Sequence, residues 1–165
     1  MAARFILSPI LQPDPFRIKE KLMEKSLVLS ISLGPGIYRH IQISESATLM
    51  KLSSVILSSI GFYDDHLHSF FMNNRAWDGD AEYACPHDDM DGVRGSSDKV
   101  KLSKFHLSKG DKFLYIFDYG DDWRFQIKVL RVLNELTNTP LILKTLGTVS
   151  QYGYDEDDED DEDGF

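Results

Sequence analysis

The sequence predicts an α+β domain: a mixed, mostly antiparallel sheet with one main helix packed across it, in a ββα…ββ roll of grasp-like order. Three observations carry this. Two alternating apolar segments flank a Gly-Pro-Gly turn, one stretch of twelve residues has helical periodicity, and a second pair of β-rich segments flanks an Asp- and Gly-containing turn. Strands and helix each offer one apolar face, and the economical arrangement lays the helix on the sheet. The chain divides into an arm with a short helix (1–26), an α+β domain (27–152) and an acidic tail (153–165) expected to be disordered.

Residues 1–14 read as an irregular arm, and 15–25 as a short surface helix, with Pro15 in its first turn and Ile18 and Leu22 four apart. In 27–33, Leu27, Leu29, Ile31 and Leu33 share a face opposite Val28, Ser30 and Ser32. Gly34-Pro35-Gly36 is a turn, and 37–43 alternates again, which makes a β-hairpin. Ser44 to Thr48 supplies N-cap chemistry for a helix over 49–60. Its apolar stripe is Leu49, Leu52, Ile56 and Ile60, flanked by Val55, and Gly61 is the C-cap. Residues 67–73 read as a third strand.

The polar stretch 74–98 is long for a loop inside a domain, so a short strand near Ala81 to Cys85 is expected within it. Residues 99–107 carry Val100, Leu102 and Phe105 and end at Ser108-Lys109-Gly110. The nearly continuous apolar run 112–118 suits a central strand buried on both faces. After the turn at Tyr119 to Asp122, residues 123–133 put Trp123, Phe125, Ile127 and Val129 on one face and Arg124, Gln126 and Lys128 on the other. Residues 140–149 fit either a short helix or a strand.

Composition narrows the function classes. Net charge is −9, but Asp155 to Asp163 are nine consecutive acids, and the remaining 18 Asp and Glu match the 18 Lys and Arg. A near-neutral body disfavours a protein whose whole surface grips nucleic acid. Cys85 is the only cysteine, so no internal disulfide can form. No apolar run approaches the roughly 20 residues that span a bilayer, and Pro9 interrupts the short apolar run at the N-terminus. A cytoplasmic protein without membrane partners is expected.

Several residues invite chemistry. His66 and His68 are two apart, which on a strand places both on one face, as a metal pair requires. With Asp118, Asp121 and Asp122 from the acidic turn they form a candidate cluster that also takes in Gly120 and Trp123. Held as His66, His68 and Asp121, it would suit a divalent metal such as zinc or manganese. The preferred alternative is a structural lock in which His68 contacts one of the three aspartates and no cofactor binds. Gly120 is expected to supply a positive φ angle to the turn. Cys85-Pro86-His87 offers soft ligands, but zinc usually takes four and no second cysteine exists.

Trp77, an aromatic in an acidic loop, either anchors a partner or tucks back onto the sheet, the latter being favoured. Lys99, Lys101, Lys104, Lys109 and Lys112 read as a solvated surface or a modest phosphate-facing patch, which the acidic tail would shield.

Four segments together carry a family resemblance: residues 38–62, DDHLHSF at 64–70, FLYIFDYGDDWRFQI at 113–127, and Gly147 with Gln151-Tyr152. Over roughly residues 27–152 the chain resembles the plasmid pRiA4b ORF-3-like proteins. The resemblance implies an α+β roll and a plasmid or mobile-element context. Some members carry a transposon-resolvase label, but a serine recombinase needs a serine supported by several arginines, and no serine here sits in an Arg cluster. Members commonly have His two residues after the Trp of the GDDW run. This chain has Phe125, which by its periodicity should simply pack.

Three functions follow as expectations. The favoured one is a non-catalytic module binding a protein or peptide through a sheet edge or the 74–98 loop. The others are a metal-dependent hydrolase or nuclease built on His66, His68 and the acidic turn, and a DNA-associated accessory protein.

Overall fold

The computed structural model describes residues 12, 14–16 and 24–153. The expectations for the arm and short helix (1–26) fall almost wholly outside these residues, as does the expectation for the tail beyond 153. The described chain forms one eight-stranded sheet with one long helix: β1 Ser26–Gly34, β2 Ile37–Ser44, α1 Leu49–Ile60, β3 His68–Phe71, β4 Glu82–Ala84, β5 Gly95–Ser96, β6 Lys112–Phe117, β7 Trp123–Leu133 and β8 Leu141–Leu146. The strand order is β5-β4-β3-β6-β7-β1-β2-β8. Every neighbouring pair is antiparallel except β4 with β5.

The core lies between α1 and one face of this sheet. Leu27, Leu29 and Ile31 of β1, Ile41 and Ile43 of β2, Phe113, Tyr115 and Phe117 of β6, and Phe125, Ile127 and Val129 of β7 meet Leu49, Leu52, Ile56 and Leu57. Each buried leucine or isoleucine of the helix contributes roughly 2 kcal/mol. Leu57 takes the buried place expected of Ile60, because the helix ends there and its last residue lies at the core margin.

Both helix ends are closed. Thr48 Oγ1 accepts from the Lys51 amide (3.1 Å), and the carbonyls of Val100 and Ser97 accept from the amides of Leu49 and Met50. The first-turn donors that a helix leaves without intrahelical partners are therefore satisfied by Thr48 and by the carbonyls of Ser97 and Val100. At the other end Gly61 has φ 79°, its amide bonds to Ser58 and that of Phe62 to Leu57, a Schellman closure. Residues 99–107 thus serve as a seal, with a tight 3-10 turn at Leu102–Phe105, rather than as a sheet strand.

Part of the second face of the sheet is covered by the 74–98 segment. There Trp77 stacks edge-on against Phe71 (5.5 Å) and Tyr119 (5.2 Å). The expected short strand in the 74–98 stretch is β4, and β5 lies beside it. The ambiguous 140–149 segment resolves as β8, the edge strand beside β2, and Gly147 ends it. Its φ is 71°, and a Cβ there would lie 2.2 Å from the Gly36 carbonyl oxygen, so only glycine lets the chain pass beneath the first hairpin.

Candidate functional site

The HLH and GDDW segments meet, because β3 and β6 are neighbours. The Asp118 amide donates to the Leu67 carbonyl (2.8 Å), and the Tyr119 hydroxyl donates to the His68 carbonyl (3.0 Å). The side-chain contact differs from expectation. His66, not His68, reaches the acidic turn: its Nε2 lies 3.4 Å from Asp118 Oδ2 and 3.6 Å from Asp65 Oδ1. The Tyr152 hydroxyl donates to Asp65, and Gln151 Nε2 also donates to Asp65 (3.0 Å). Together they hold the Asp65 carboxyl below the usual range, and that carboxylate in turn raises the Tyr152 phenol to about 12. The segment at Gln151-Tyr152 is thereby tied to both motifs.

The turn itself works without help from a glycine's left-handed backbone. Asp118 (φ 58°) and Asp122 (φ 54°) carry the positive angles, and Gly120 does not, which corrects the expectation. Asp tolerates this region when its side chain bonds locally. Asp118 Oδ1 accepts from the amides of Gly120 (3.0 Å) and Asp121 (3.3 Å), and Asp122 takes both of its oxygens to Arg124 Nε. Gly120 is there for room, since a Cβ would sit 3.3 Å from Asp118 Oδ1.

His68 goes into the core. The strand begins only at His68, so the two-residue alternation that would pair it with His66 is not in force. Its Nε2 shares a hydrogen bond with Ser97 Oγ (2.9 Å), its Nδ1 with Ser53 Oγ (3.3 Å), and Ser53 Oγ with the Tyr115 hydroxyl (2.7 Å). Burial pushes the imidazole down to about 4, so it is neutral at pH 7 and satisfied at both nitrogens. A histidine so enclosed has no lone pair free for a metal. Asp121 is an exposed residue of the turn, and no group of three or more His, Cys, Asp or Glu among the described residues converges on a metal position. The trio His66, His68 and Asp121 is therefore not assembled as a site.

The other singled-out residues have structural surroundings. Trp77 tucks onto Phe71 and Tyr119 while remaining 48% exposed. Trp123 packs edge-on against Phe62 (5.0 Å), and its buried indole N–H has no acceptor among the described residues. Phe125 is buried against Tyr115 and Phe62, as its periodicity requires. Cys85 is buried, which raises its thiol, and His87 Nδ1 bonds back to the Cys85 carbonyl (2.7 Å).

Two features escape the sequence reading. One is the buried Ser53–His68–Ser97–Tyr115 network, whose legible trace is Ser53 four residues after Leu49 on the apolar stripe of the helix. The other is β8. All six of its residues are exposed, including Leu141 (49%), Ile142 (45%), Leu143 (46%) and Leu146 (45%). The register with β2 shifts between His40 and Ile41 and leaves Leu143 without a directly opposed residue. Among the described residues nothing pairs with the outer side of this strand.

Comparison with known proteins agrees with this architecture. The chain is similar to a solved structure, the protein of unknown function MM3350 from Methanosarcina mazei Go1, with 27% identity and a TM-score of 0.59 over 76% of this chain and 71% of that one. It is also 25% identical over 115 residues to the uncharacterized protein y4hQ of Sinorhizobium fredii (strain NBRC 101917 / NGR234). That match takes in 68% of this chain but 56% of the relative's length. No helix among the described residues is long and apolar enough to cross a membrane. Residues 26–152, which include β1 to β8, α1, the HLH and GDDW segments and Gln151-Tyr152, match the plasmid pRiA4b ORF-3-like proteins, and the chain belongs to that family.

Proposed function

We propose that this protein is a non-catalytic interaction module that captures an extended segment of a partner protein along β8. The observation that carries the reading is the edge strand itself: six exposed residues, four of them large and apolar. Sheet edges of this length are ordinarily shortened, charged or covered, because unpaired backbone groups invite another strand. A peptide added there gains main-chain hydrogen bonds, and its alternate side chains read the flanking surface.

Charge indicates the partner's chemistry. Lys144 is the only ionisable residue of β8, and Lys51 is the only one lining the cleft between α1 and Ile142. An apolar segment flanked by acidic residues fits both. The internal use of His68, Ser53 and Tyr115 favours binding over chemistry. The lone buried cysteine accords with a cytoplasmic setting, and the family's description with a plasmid or mobile-element context.

Selection of short random peptides against the purified full chain tests this. The expected result is apolar-acidic peptides that bind below about 100 µM and weaken at least about tenfold against a Leu141→Lys, Leu143→Lys variant of unchanged circular dichroism. Peptides that bind the variant equally well would overturn the reading. So would a wild-type chain that is a stable dimer through β8, since a second copy would then own the edge.

A further inference from the structure

A separate cleft, far along the strands from the acidic turn, carries an inference of its own. It holds about 660 Å³ and is lined among the described residues by Lys25, Glu45, Ser103, His106 to Lys109 and Arg131 to Leu133. Three permanent cations, Lys25, Lys109 and Arg131, face it against one carboxylate, Glu45. None of the three has an ion-pair partner among the described residues. Leu107, Val132 and Leu133 give it half-buried apolar walls. Other lysines of the predicted basic patch are engaged elsewhere or stand outside: Lys104 lies over the Tyr83 ring (5.3 Å), and Lys99, Lys101 and Lys112 do not line the cleft.

The walls are held in place by the fold. On one side the Gly110 amide bonds to the Val129 carbonyl (2.8 Å), the Val129 amide to Asp111 (2.9 Å), and the Ser108 amide to the Asp111 carboxylate (2.8 Å). This pins the 106–111 loop to β7, with His106 in a left-handed conformation (φ 48°) at its start. On the other side the Glu45 amide bonds to Lys25 (2.9 Å) and the Ser103 amide to Glu45 (2.7 Å). Between them β7 carries a bulge. Val129 pairs with Leu29, but Arg131 pairs with Val28 and Val132 with Leu27, so the extra residue Leu130 turns Arg131 off the core face that simple alternation would give it. Bulges that re-aim a side chain in this way gather next to binding sites.

We infer that this cleft is a binding site for an anionic small molecule, a phosphate or carboxylate head group carried on an apolar body. Cations around a concave surface concentrate anions. Arg131 offers a planar fork suited to either head group, Lys109 and Lys25 add point charges, and the apolar walls accept the remainder. Preformed walls reduce the ordering cost of binding. This site stands on observations independent of β8.

Titration of the isotope-labelled full chain, followed by amide chemical shifts, tests the inference. The probes are phenyl phosphate, phenylacetate and inorganic phosphate, with benzyl alcohol as the uncharged control. Saturable shifts are expected at Ser108 to Gly110 and Arg131 to Leu133, with binding of phenyl phosphate or phenylacetate in the range of about 1 mM or tighter and benzyl alcohol weaker by about tenfold or more. Comparison of the two aromatic probes identifies the head group, and inorganic phosphate measures the contribution of the apolar body. Arg131→Gln should weaken binding about tenfold, and Lys112→Gln, outside the cleft, should not. Shifts that never saturate, that map to other residues, or that persist unchanged in Arg131→Gln would overturn it.

Discussion

The two edges of this sheet end in opposite ways. At one edge β5 is two residues long, and the neighbouring strands β4 and β3 are buried, with a polar interior whose groups satisfy one another. Ser69 Oγ donates to Glu82 (2.6 Å) and meets the Tyr119 hydroxyl, and His68 is enclosed by Ser53 and Ser97. At the other edge β8 exposes apolar side chains along its whole length. The closed end shows that this fold can terminate a sheet with a very short strand over a buried interior. The open end is the surface that the proposed docking of a partner strand would cover.

Mutations should separate the two ends. In the closed half, Phe70→Ala removes a fully buried ring packed at 4.6 Å on Tyr115 and is expected to destabilise by about 3–5 kcal/mol in urea unfolding. The same truncation at the open edge, Leu143→Ala, should cost less than about 1 kcal/mol, because that side chain is already 46% exposed. Equal losses at the two positions would break the comparison.

Acid should act on the closed half as well. His68 has its pKa held at about 4 by burial, below the ordinary 6.5 of a histidine, so as pH falls the unfolded chain takes up the proton first. Its contribution is complete above about pH 6.5 and erodes towards pH 4 at up to about 1.4 kcal/mol per pH unit, roughly 3 kcal/mol in all. Urea melts across that range should show the slope in the wild type and a reduced one in His68→Gln. A slope that persists in full would assign the acid sensitivity to another group.

Smaller effects sharpen the picture. Gly147→Ala, with φ 71° and a Cβ 2.2 Å from the Gly36 oxygen, should cost about 1–3 kcal/mol and disturb β8 while leaving the closed half intact. Trp123→Phe should be nearly neutral, within about 1 kcal/mol, because it deletes a buried N–H that has no acceptor among the described residues. Thermal denaturation of both variants reads these values, and a large loss for Trp123→Phe would reveal a partner for the indole.

Much of this architecture was legible in the sequence because it follows from short-range periodicity. Alternation defined β1, β2 and β7, the stripe and caps defined α1, and the apolar run 112–118 gave the central strand β6. What was not legible depends on contacts between distant segments. His66 and His68 read as equivalents by spacing, yet the strand starts between them in effect, and one lies beside Asp118 at the surface while the other is enclosed by Ser53 and Ser97. Glycine is the usual occupant of a positive φ angle, which points to Gly120, yet local side-chain bonding lets the aspartates take it: Asp118 bonds the backbone amides that follow it, and Asp122 bonds Arg124. The basic cleft joins Lys25, Lys109 and Arg131 from three places in the chain, and a bulge that sequence alternation does not reveal aims one of them.

Amide hydrogen exchange of the full chain, free and saturated with a selected apolar-acidic peptide, tests the central claim most directly. The account predicts new protection confined to residues 141–146 and their neighbours in β2, as an added strand takes up the outer backbone groups of β8. Protection that appears instead around Trp77 and the 74–98 segment, with β8 unchanged, would contradict it.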